Sequence, residues 1–307
     1  MRNYRFFKSE HGGAMVMVAL MMTVLLGLTA IVVDAGRLYS EKSSLQKALD
    51  AAVLAGGQLM VSSEAQAKLI AKEISEKNGY ILIDSNLEST ATSLRATKKI
   101  VVPMTFAKVL GIHEVEVEAT ARVIAGPLTV ARGLAPLAVE LAHIKEETTN
   151  MKCTTAGQNS GNCGYLKTGS GGASSLADAI KNGSNISYTN GQTYDLDTEP
   201  GEKWGPVKSA FEELINRDQG KTHCQSYSTA DNSCARVLYV AVVETFENAN
   251  GRDEVKVVGF AAYWIQSVVN SSKSINGKFI QMIAPGEIDE SGTGIGFGGL
   301  YGVKLVD

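Results

Sequence analysis

The chain has 307 residues, of which 29 are basic and 32 acidic, so its formal net charge is −3 at pH 7. This balance offers no basic surface of the kind that binds nucleic acid, and we expect no nucleic-acid partner. The length is enough for two modest domains.

The first predicted element is an apolar run near the start of the chain. Residues 14–33 read AMVMVALMMTVLLGLTAIVV and carry no charged side chain. About 20 apolar residues, at a rise of 1.5 Å each, span a hydrocarbon core of about 30 Å. We therefore predict a transmembrane helix over this segment. Its anchor positions include Ala14, Leu20, Leu26 and Val33.

Charges on either side of this segment predict its orientation. The tail, residues 1–13, carries three basic side chains and one acidic side chain, whereas the charges that follow the apolar run cancel. Because an excess of Lys and Arg stays in the cytoplasm, we predict a single-pass membrane protein with a cytoplasmic N-terminus and an extracytoplasmic body. A cleaved signal peptide is the alternative, although its apolar core would be shorter, about 7–15 residues.

The pattern after the apolar run predicts that the helix continues beyond the membrane. Residues 34–57 contain no proline, and apolar side chains recur at helical spacing with polar residues between them. Gly56 and Gly57 then supply a stop signal. We expect an amphipathic extension of the transmembrane helix over this range.

Residues 58–126 are predicted to form a small α+β module. Ser63 is expected to cap its helix. A short helical turn is expected within 106–112 and a strand over 114–126, where apolar and polar residues alternate. The expected buried side of the helix is marked by Leu69, Ile70 and Ile74.

A connector over 127–149 is expected to lead into an α+β domain over 150–307. The stretch 150–205 is rich in Gly, Ser, Thr and Asn, which predicts loops. Pro206 is expected to begin a helix. The predicted fold class is therefore α+β, with a long N-terminal helix, a small module, and an antiparallel sheet with a covering helix.

Three strands are expected in the sheet of this second domain. They cover 235–246, 254–269 and 277–284. The Gly-rich tail is expected either to be flexible or to add a last strand from Tyr301 to Val306. The Asn-Gly pairs at 250–251 and 276–277 are typical hairpin signals.

Four cysteines lie beyond the apolar run, in two pairs whose members are ten positions apart. Four cysteines allow three pairings, and we favour the local one because short loops close at low entropic cost. A zinc site is less favoured, since the only neighbouring histidine is His223. Disulfides fit an exported body. The pairs are Cys153 with Cys163, and Cys224 with Cys234.

No catalytic set of residues stands out, and no cofactor is expected. The sequence has no nucleophile elbow of the G-x-S-x-G type. Asp195, Asp197 and Glu199 alternate and are weak candidates for a Ca²⁺ site, but the EF-hand spacing is absent, so a solvated acidic loop is the simpler interpretation.

An aromatic cluster lies in the longest expected strand. Its members are Phe260, Tyr263 and Trp264. Core packing explains the cluster most simply, and a partner-binding face is the alternative.

A distinctive set of residues marks both ends of the apolar run. Gly13 precedes it, the exit reads D-x-G-R-x-Y, and Asp50 begins a D-A-A-x-x-A-G pattern. Together with residues 102–112, these features make roughly residues 10–125 resemble the TadE/TadG-like pilus-assembly proteins of bacteria. The exit residues are Asp34, Gly36, Arg37 and Tyr39.

The resemblance implies a membrane-anchored, pilin-like accessory component of a tight-adherence pilus or a related secretion apparatus, with no enzyme activity. Expected partners are the membrane, other proteins of that apparatus, and further copies that associate through the N-terminal helix. Two features depart from the family. Major prepilins carry Glu at the fifth position after the cleavage glycine, where this chain has Met17 or Val18, and the D-x-S-x-S metal motif of longer members is absent.

A second hypothesis remains beside this structural role. The chain would then be an anchored extracytoplasmic enzyme or ligand-binding protein with its site in 150–300. Such a site requires a cleft with converging polar groups.

Overall fold

The computed structural model describes residues 11–154, 162–169, 172–197, 203–246, 254–290 and 298–306. The predicted α+β class is confirmed within these residues. The helices are α1 (His11–Gly57), α2 (Glu64–Lys77), α3 (Ala173–Asn182) and α4 (Trp204–Arg217). The strands are β1 (Leu87–Thr90), β2 (Ser93–Pro103), β3 (Glu114–Ala131), β4 (Leu137–Glu140), β5 (Thr149–Met151), β6 (Cys153–Thr154), β7 (Cys163–Tyr165), β8 (Tyr188–Thr189), β9 (Thr193–Asp195), β10 (Val237–Val243), β11 (Glu254–Val269), β12 (Ser274–Ile280), β13 (Met282–Ile283), β14 (Gly286–Ile288) and β15 (Leu300–Val306).

Helix α1 runs as one element through the apolar run and its extension. It has 47 residues and ends at Gly57, so it is about 70 Å long at 1.5 Å per residue. The predicted continuation and the predicted stop are confirmed. From Leu45 onward one side of the helix is buried, because it lies against α2, β2 and β3.

Helix α2 packs closely on the end of α1. The predicted cap is confirmed, since the Ser63 side chain accepts a hydrogen bond from the Gln66 N–H at 3.3 Å. The predicted buried side is correct in part: Ile70 and Ile74 are half-buried, whereas Leu69 is 63% exposed. A Cβ at Gly56 would lie 2.6 Å from the Ala67 carbonyl oxygen, so small side chains face this contact. The buried residues of α2 are Ala67, Ala71 and Ser75.

The first sheet lies under α1 and α2. In the described residues its order is β1-β2-β3-β15-β13, and β8 and β14 also pair with β3. The strand predicted over 114–126 continues to Ala131 as β3. The predicted C-terminal strand forms as β15 and pairs with β3 in antiparallel register. The end of the chain therefore completes a sheet that begins in residues 87–103. The proposed domain boundaries stay a prediction.

The second sheet is built mainly from the C-terminal half. In the described residues its order is β5-β12-β11-β10-β4-β7-β6, with β9 beside β11. The predicted antiparallel meander is confirmed, because β11 pairs with both β10 and β12 in antiparallel register. Helices α3 and α4 cover one face of this sheet.

Three details of the second sheet differ from the expectations. Residues 173–182 were expected as loop but form α3, whose buried Leu176, Ala177 and Ile180 fall at helical spacing within a polar composition. Helix α4 begins at Trp204 rather than at Pro206; proline is tolerated there because it still lies in the first turn.

The third difference concerns Gly277, which was expected in a hairpin turn and lies within β12. The turn instead uses residues 270–273. A Cβ at Gly277 would collide with the Trp264 carbonyl oxygen and the Tyr263 ring, so glycine here permits close strand packing rather than a turn. The other Asn-Gly pair, 250–251, lies outside the described residues.

The two sheets share a hydrophobic core. Leu128 and Ala131 at the end of β3 and Leu300 of β15 pack in the same cluster as Phe260 and Trp264 of β11. This cluster joins the sheet under α1 to the sheet under α4, so the body is continuous from one to the other.

Candidate interaction site at the N-terminal helix

The apolar part of α1 stands clear of the body. Its large hydrophobic side chains are exposed by 47% at Val33 to 77% at Met15. An apolar surface of this extent is unfavourable in water and marks contact with a membrane or another protein. Within the described residues, one helix is long and apolar enough to cross a membrane, and it is this one.

The polar side chains within the apolar run are satisfied by the helix itself. The Thr23 hydroxyl donates to the Leu20 carbonyl at 2.8 Å, and the Thr29 hydroxyl donates to the Leu25 carbonyl at 2.7 Å. In hydrocarbon every polar group must find its partner within the protein, and both hydroxyls meet that requirement.

Asp34 joins α1 to the connection between β2 and β3. Its carboxylate accepts hydrogen bonds from the backbone N–H groups of Thr105 at 2.9 Å, Phe106 at 2.9 Å and Ala107 at 2.6 Å. The Asp34 side chain is buried, with 5% of the residue exposed. Hydrogen bonds to an ionised carboxylate are among the strong ones. The first residue after the apolar run therefore fixes the helix to the body.

The other exit residues contribute unequally to this junction. The Arg37 guanidinium donates to the Thr105 hydroxyl at 3.4 Å, beside the Asp34 contacts. Tyr39 is 78% exposed and points away from the body. Gly36 has open space around it, as does Gly13 before the apolar run. The sequence motif groups these residues, but in the structure it is mainly Asp34 and Arg37 that form the junction.

Asp50 belongs to a second contact between α1 and the first sheet. Gln46 donates to the Asp50 carboxylate and to the Thr120 carbonyl, both at 2.8 Å. The side-chain amide thus links two turns of α1 to β3. This contact positions the helix across the strand.

The loop between β2 and β3 carries exposed apolar residues that sequence reasoning did not assign to a site. We name residues 104–112 the apolar loop. It contains the short helical turn Ala107–Leu110, which the sequence predicted. Val109 is 89% exposed and Leu110 is 75% exposed. The loop and α1 together line a groove of about 680 Å³. The sequence shows that this segment is apolar, but it does not show that the segment lies exposed beside α1.

Both predicted disulfides form. Cys153 pairs with Cys163, and Cys224 pairs with Cys234. His223 lies near the second pair, but the two cysteines are bonded to each other and offer no thiolate to a metal. His223 instead lies 3.1 Å from the Ser233 hydroxyl.

Two of the weak candidates for a Ca²⁺ site, Asp195 and Asp197, contact different lysine side chains. The Lys203 ammonium lies 2.5 Å from the Asp197 carboxylate, in a pair whose side chains are 5% and 11% exposed. Asp195 lies 3.8 Å from the Lys167 ammonium. Glu199 lies outside the described residues. A protein cation therefore occupies the place beside Asp197.

A buried charged group holds α4 to the second sheet. The Asp218 carboxylate accepts from the Arg236 N–H at 2.8 Å and lies 2.9 Å from the Lys221 ammonium. Burial alone would raise the pKa of Asp218, but the N–H groups of Arg236 and Ala235 and the Lys221 ammonium hold this pKa below its ordinary value. Asp218 therefore remains ionised at neutral pH.

The aromatic cluster of β11 belongs to the core. Phe260, Tyr263 and Trp264 are exposed by 2%, 0% and 6%. The Tyr263 hydroxyl donates to the Thr149 carbonyl at 2.6 Å, and burial raises the pKa of this hydroxyl. Core packing is confirmed, and the partner-binding alternative for these residues is wrong.

Comparisons with known proteins return a match for the N-terminal part of the chain. Residues 12–59 match the family model of putative Flp pilus-assembly TadE/G-like proteins. No curated protein and no solved structure matches the chain. The matched range contains Asp34, Arg37, Gln46 and Asp50, which are the residues that fix α1 to the body. The resemblance seen in the sequence is confirmed over residues 12–59, which are similar to the TadE/G-like Flp pilus-assembly proteins.

Proposed function

We propose that the chain is a membrane-anchored accessory component of a tight-adherence pilus or a related surface apparatus, and that it acts through protein contacts. The observation that carries the proposal is the match over residues 12–59, which covers the exposed apolar part of α1 and its junction with the body.

The anchoring part of the proposal is supported by the surface of α1. Its apolar part is exposed on all sides, and its hydroxyls are satisfied internally. The excess of basic residues in 1–13 favours a cytoplasmic N-terminus, with the body outside. Disulfides in the body fit an oxidising compartment.

A role through contacts rather than chemistry is part of the same proposal. Pilin-like assemblies bury apolar N-terminal helices against one another, and Ala19, which lies outside the groove beside residues 104–112, would let helices approach closely. In the described part of the body, Asp197, Asp218 and the four cysteines all have protein partners, so they have structural roles.

Deletion of the gene in its host, scored by surface filaments and by adherence, tests the proposal. We expect the deletion strain to lose filaments and the wild-type chain to restore them. A matched chain in which a cleavable signal peptide replaces residues 1–33 would export the same body without an anchor, and we expect it to fail. Normal filaments in the deletion strain would refute the assembly role, and restoration by the unanchored body would refute the need for the anchor.

A further inference from the structure

We infer that the apolar loop, residues 104–112, lies in the body-side leaflet of the membrane beside α1 and contacts the lipid acyl chains. The chain would then touch the membrane twice, through a spanning helix and through a loop that enters one leaflet. This inference rests on the anchoring part of the proposed function.

The exposure of the loop is the first observation. Phe106 is 46% exposed, Val109 is 89% exposed, Leu110 is 75% exposed and Ile112 is 48% exposed. Soluble surfaces carry single apolar side chains of this kind, whereas a contiguous group marks contact with a membrane or a partner. The group sits at the base of the apolar part of α1, so the two apolar surfaces are continuous.

The position of the loop along α1 is the second observation. The groove between them is lined on the helix side by residues from Val24 to Leu38, including Gly27 and Ile31. Val24 lies ten residues before Asp34, which is about 15 Å along a helix and about half of a hydrocarbon core. If residues 14–33 span the bilayer, the loop reaches the leaflet nearest the body.

The hydrogen bonding of the loop backbone is the third observation. A non-helical segment can enter hydrocarbon only where its polar groups have protein partners. Asp34 accepts three consecutive N–H groups at the start of the loop. Four further N–H groups of the loop donate to backbone carbonyl groups. These bonds run from Met104 to His113, from Val109 to Phe106, from Gly111 to Lys108 and from Ile112 to Ala107.

This gives Asp34 a specific role. A carboxylate at the exit of a membrane helix is unfavourable unless it is paired or hydrogen-bonded. Here it provides the acceptors that the loop needs, and the loop provides donors to the carboxylate. Beneath them, Val102 and Met104 pack with Leu38 of α1 in a small core. Lys108 is exposed on the loop and is long enough to reach the headgroups.

Lipid is favoured over a second protein helix as the occupant. The most exposed residues, Val109 and Leu110, project from the tip of the loop and do not only line the groove. Val109 and Leu110 therefore face the same surroundings as the exposed apolar part of α1. Two contacts with one leaflet would hold the body at a fixed tilt to the membrane.

The test uses the full-length protein in vesicles of phosphatidylethanolamine and phosphatidylglycerol. The native cysteines are all in disulfides, so single added cysteines can carry a spin label. Labels are placed in Val109→Cys, in Leu25→Cys on α1, and in Leu69→Cys on α2, where the side chain is 63% exposed. Collision rates with oxygen and with a water-soluble nickel chelate report the depth of each label.

We expect the label at Val109 to collide with the nickel chelate about tenfold less often than the label at Leu69, because polar solutes are excluded from hydrocarbon, and to collide readily with oxygen. In the same background, Asp34→Ala is expected to raise nickel access at Val109 several-fold, since three N–H groups lose their acceptor.

Other outcomes distinguish the inference about the loop from the proposal that α1 is a membrane anchor. If Leu25 is shielded from nickel but Val109 is as accessible as Leu69, the loop inference is refuted and the anchor stands. If Val109 is shielded from both nickel and oxygen, a protein segment covers the loop and lipid contact is refuted. If Leu25 itself is accessible to nickel, the anchor fails, and the loop inference fails with it.

Discussion

Helix α1 has two parts with the same backbone and opposite surroundings. Up to Val33 its large apolar side chains are exposed, whereas Leu45, Leu49, Ala52 and Val53 are fully buried against the first sheet and α2. The first part is apolar all round, so no face is distinguished. The second part is apolar on one face, and that face packs into the hydrophobic core. The comparison teaches that one helix can belong to two environments, with Asp34 at the boundary.

Truncating one leucine in each part of α1 tests whether the two parts lie in different environments. Leu49→Ala removes a fully buried side chain, so we expect the free energy of unfolding to fall by about 2–5 kcal/mol. Leu26→Ala, at a residue 69% exposed, is the matched control and should leave the stability of the body unchanged. Urea unfolding of the full chain in detergent, followed by circular dichroism, measures both. Equal effects would mean that the two parts share one environment.

A second prediction tests whether the body has its own stability, independent of α1. Asp218→Asn removes a buried charge that accepts the Arg236 N–H, so we expect a loss of about 1.5–3 kcal/mol. The pKa of Asp218 is lower in the folded state than in the unfolded chain. Its stabilising effect is therefore complete above the unfolded pKa, near 3.8, and is lost as pH falls through the lower, folded value.

Urea unfolding at a series of acidic pH values checks this prediction. The difference between the wild type and Asp218→Asn should shrink as the pH falls below the ordinary pKa of aspartate. The control is Asp178→Asn, at a side chain 64% exposed on α3, which should have little effect. A difference that stays constant down to the lowest pH would contradict the role given to the Asp218 charge.

The smallest expected effect concerns two glycines of α1 beyond Asp34, one packed against α2 and one in open space. An alanine at Gly56 would bring its Cβ within 2.6 Å of the Ala67 carbonyl oxygen and the Leu94 side chain. We expect Gly56→Ala to lower stability by about 1–2 kcal/mol, because the Ala67 backbone and Leu94 must both shift, and the higher helix propensity of alanine offsets only part of that cost. Gly36→Ala meets open space and should cause no loss. The same urea experiment compares them, and equal tolerance at both sites would show that α1 and α2 are not closely packed.

Much of the candidate site could be predicted from the sequence, because its signals are local. The apolar run, the glycine stop at the end of α1, the cap at Ser63 and the local disulfides depend on neighbouring residues. Helix α3 was missed because glycines flank it and polar residues, including two serines, separate its apolar positions. On α2, Leu69 was wrongly placed on the buried side because it is more apolar than Ala67, but it is the small side chain of Ala67 that packs beside Gly56.

The sequence by itself therefore determined the apolar helix, its continuation past Val33, and the family to which residues 12–59 are similar. Only the tertiary structure decided what Asp34 does, since its three donors lie about 70 residues further along the chain. It also decided that β15 completes the sheet of β3 and that Phe106 and Val109 lie exposed beside α1. The physical reason is the same in each case: a local pattern records what a residue prefers, whereas its partner is brought to it by the fold of distant segments.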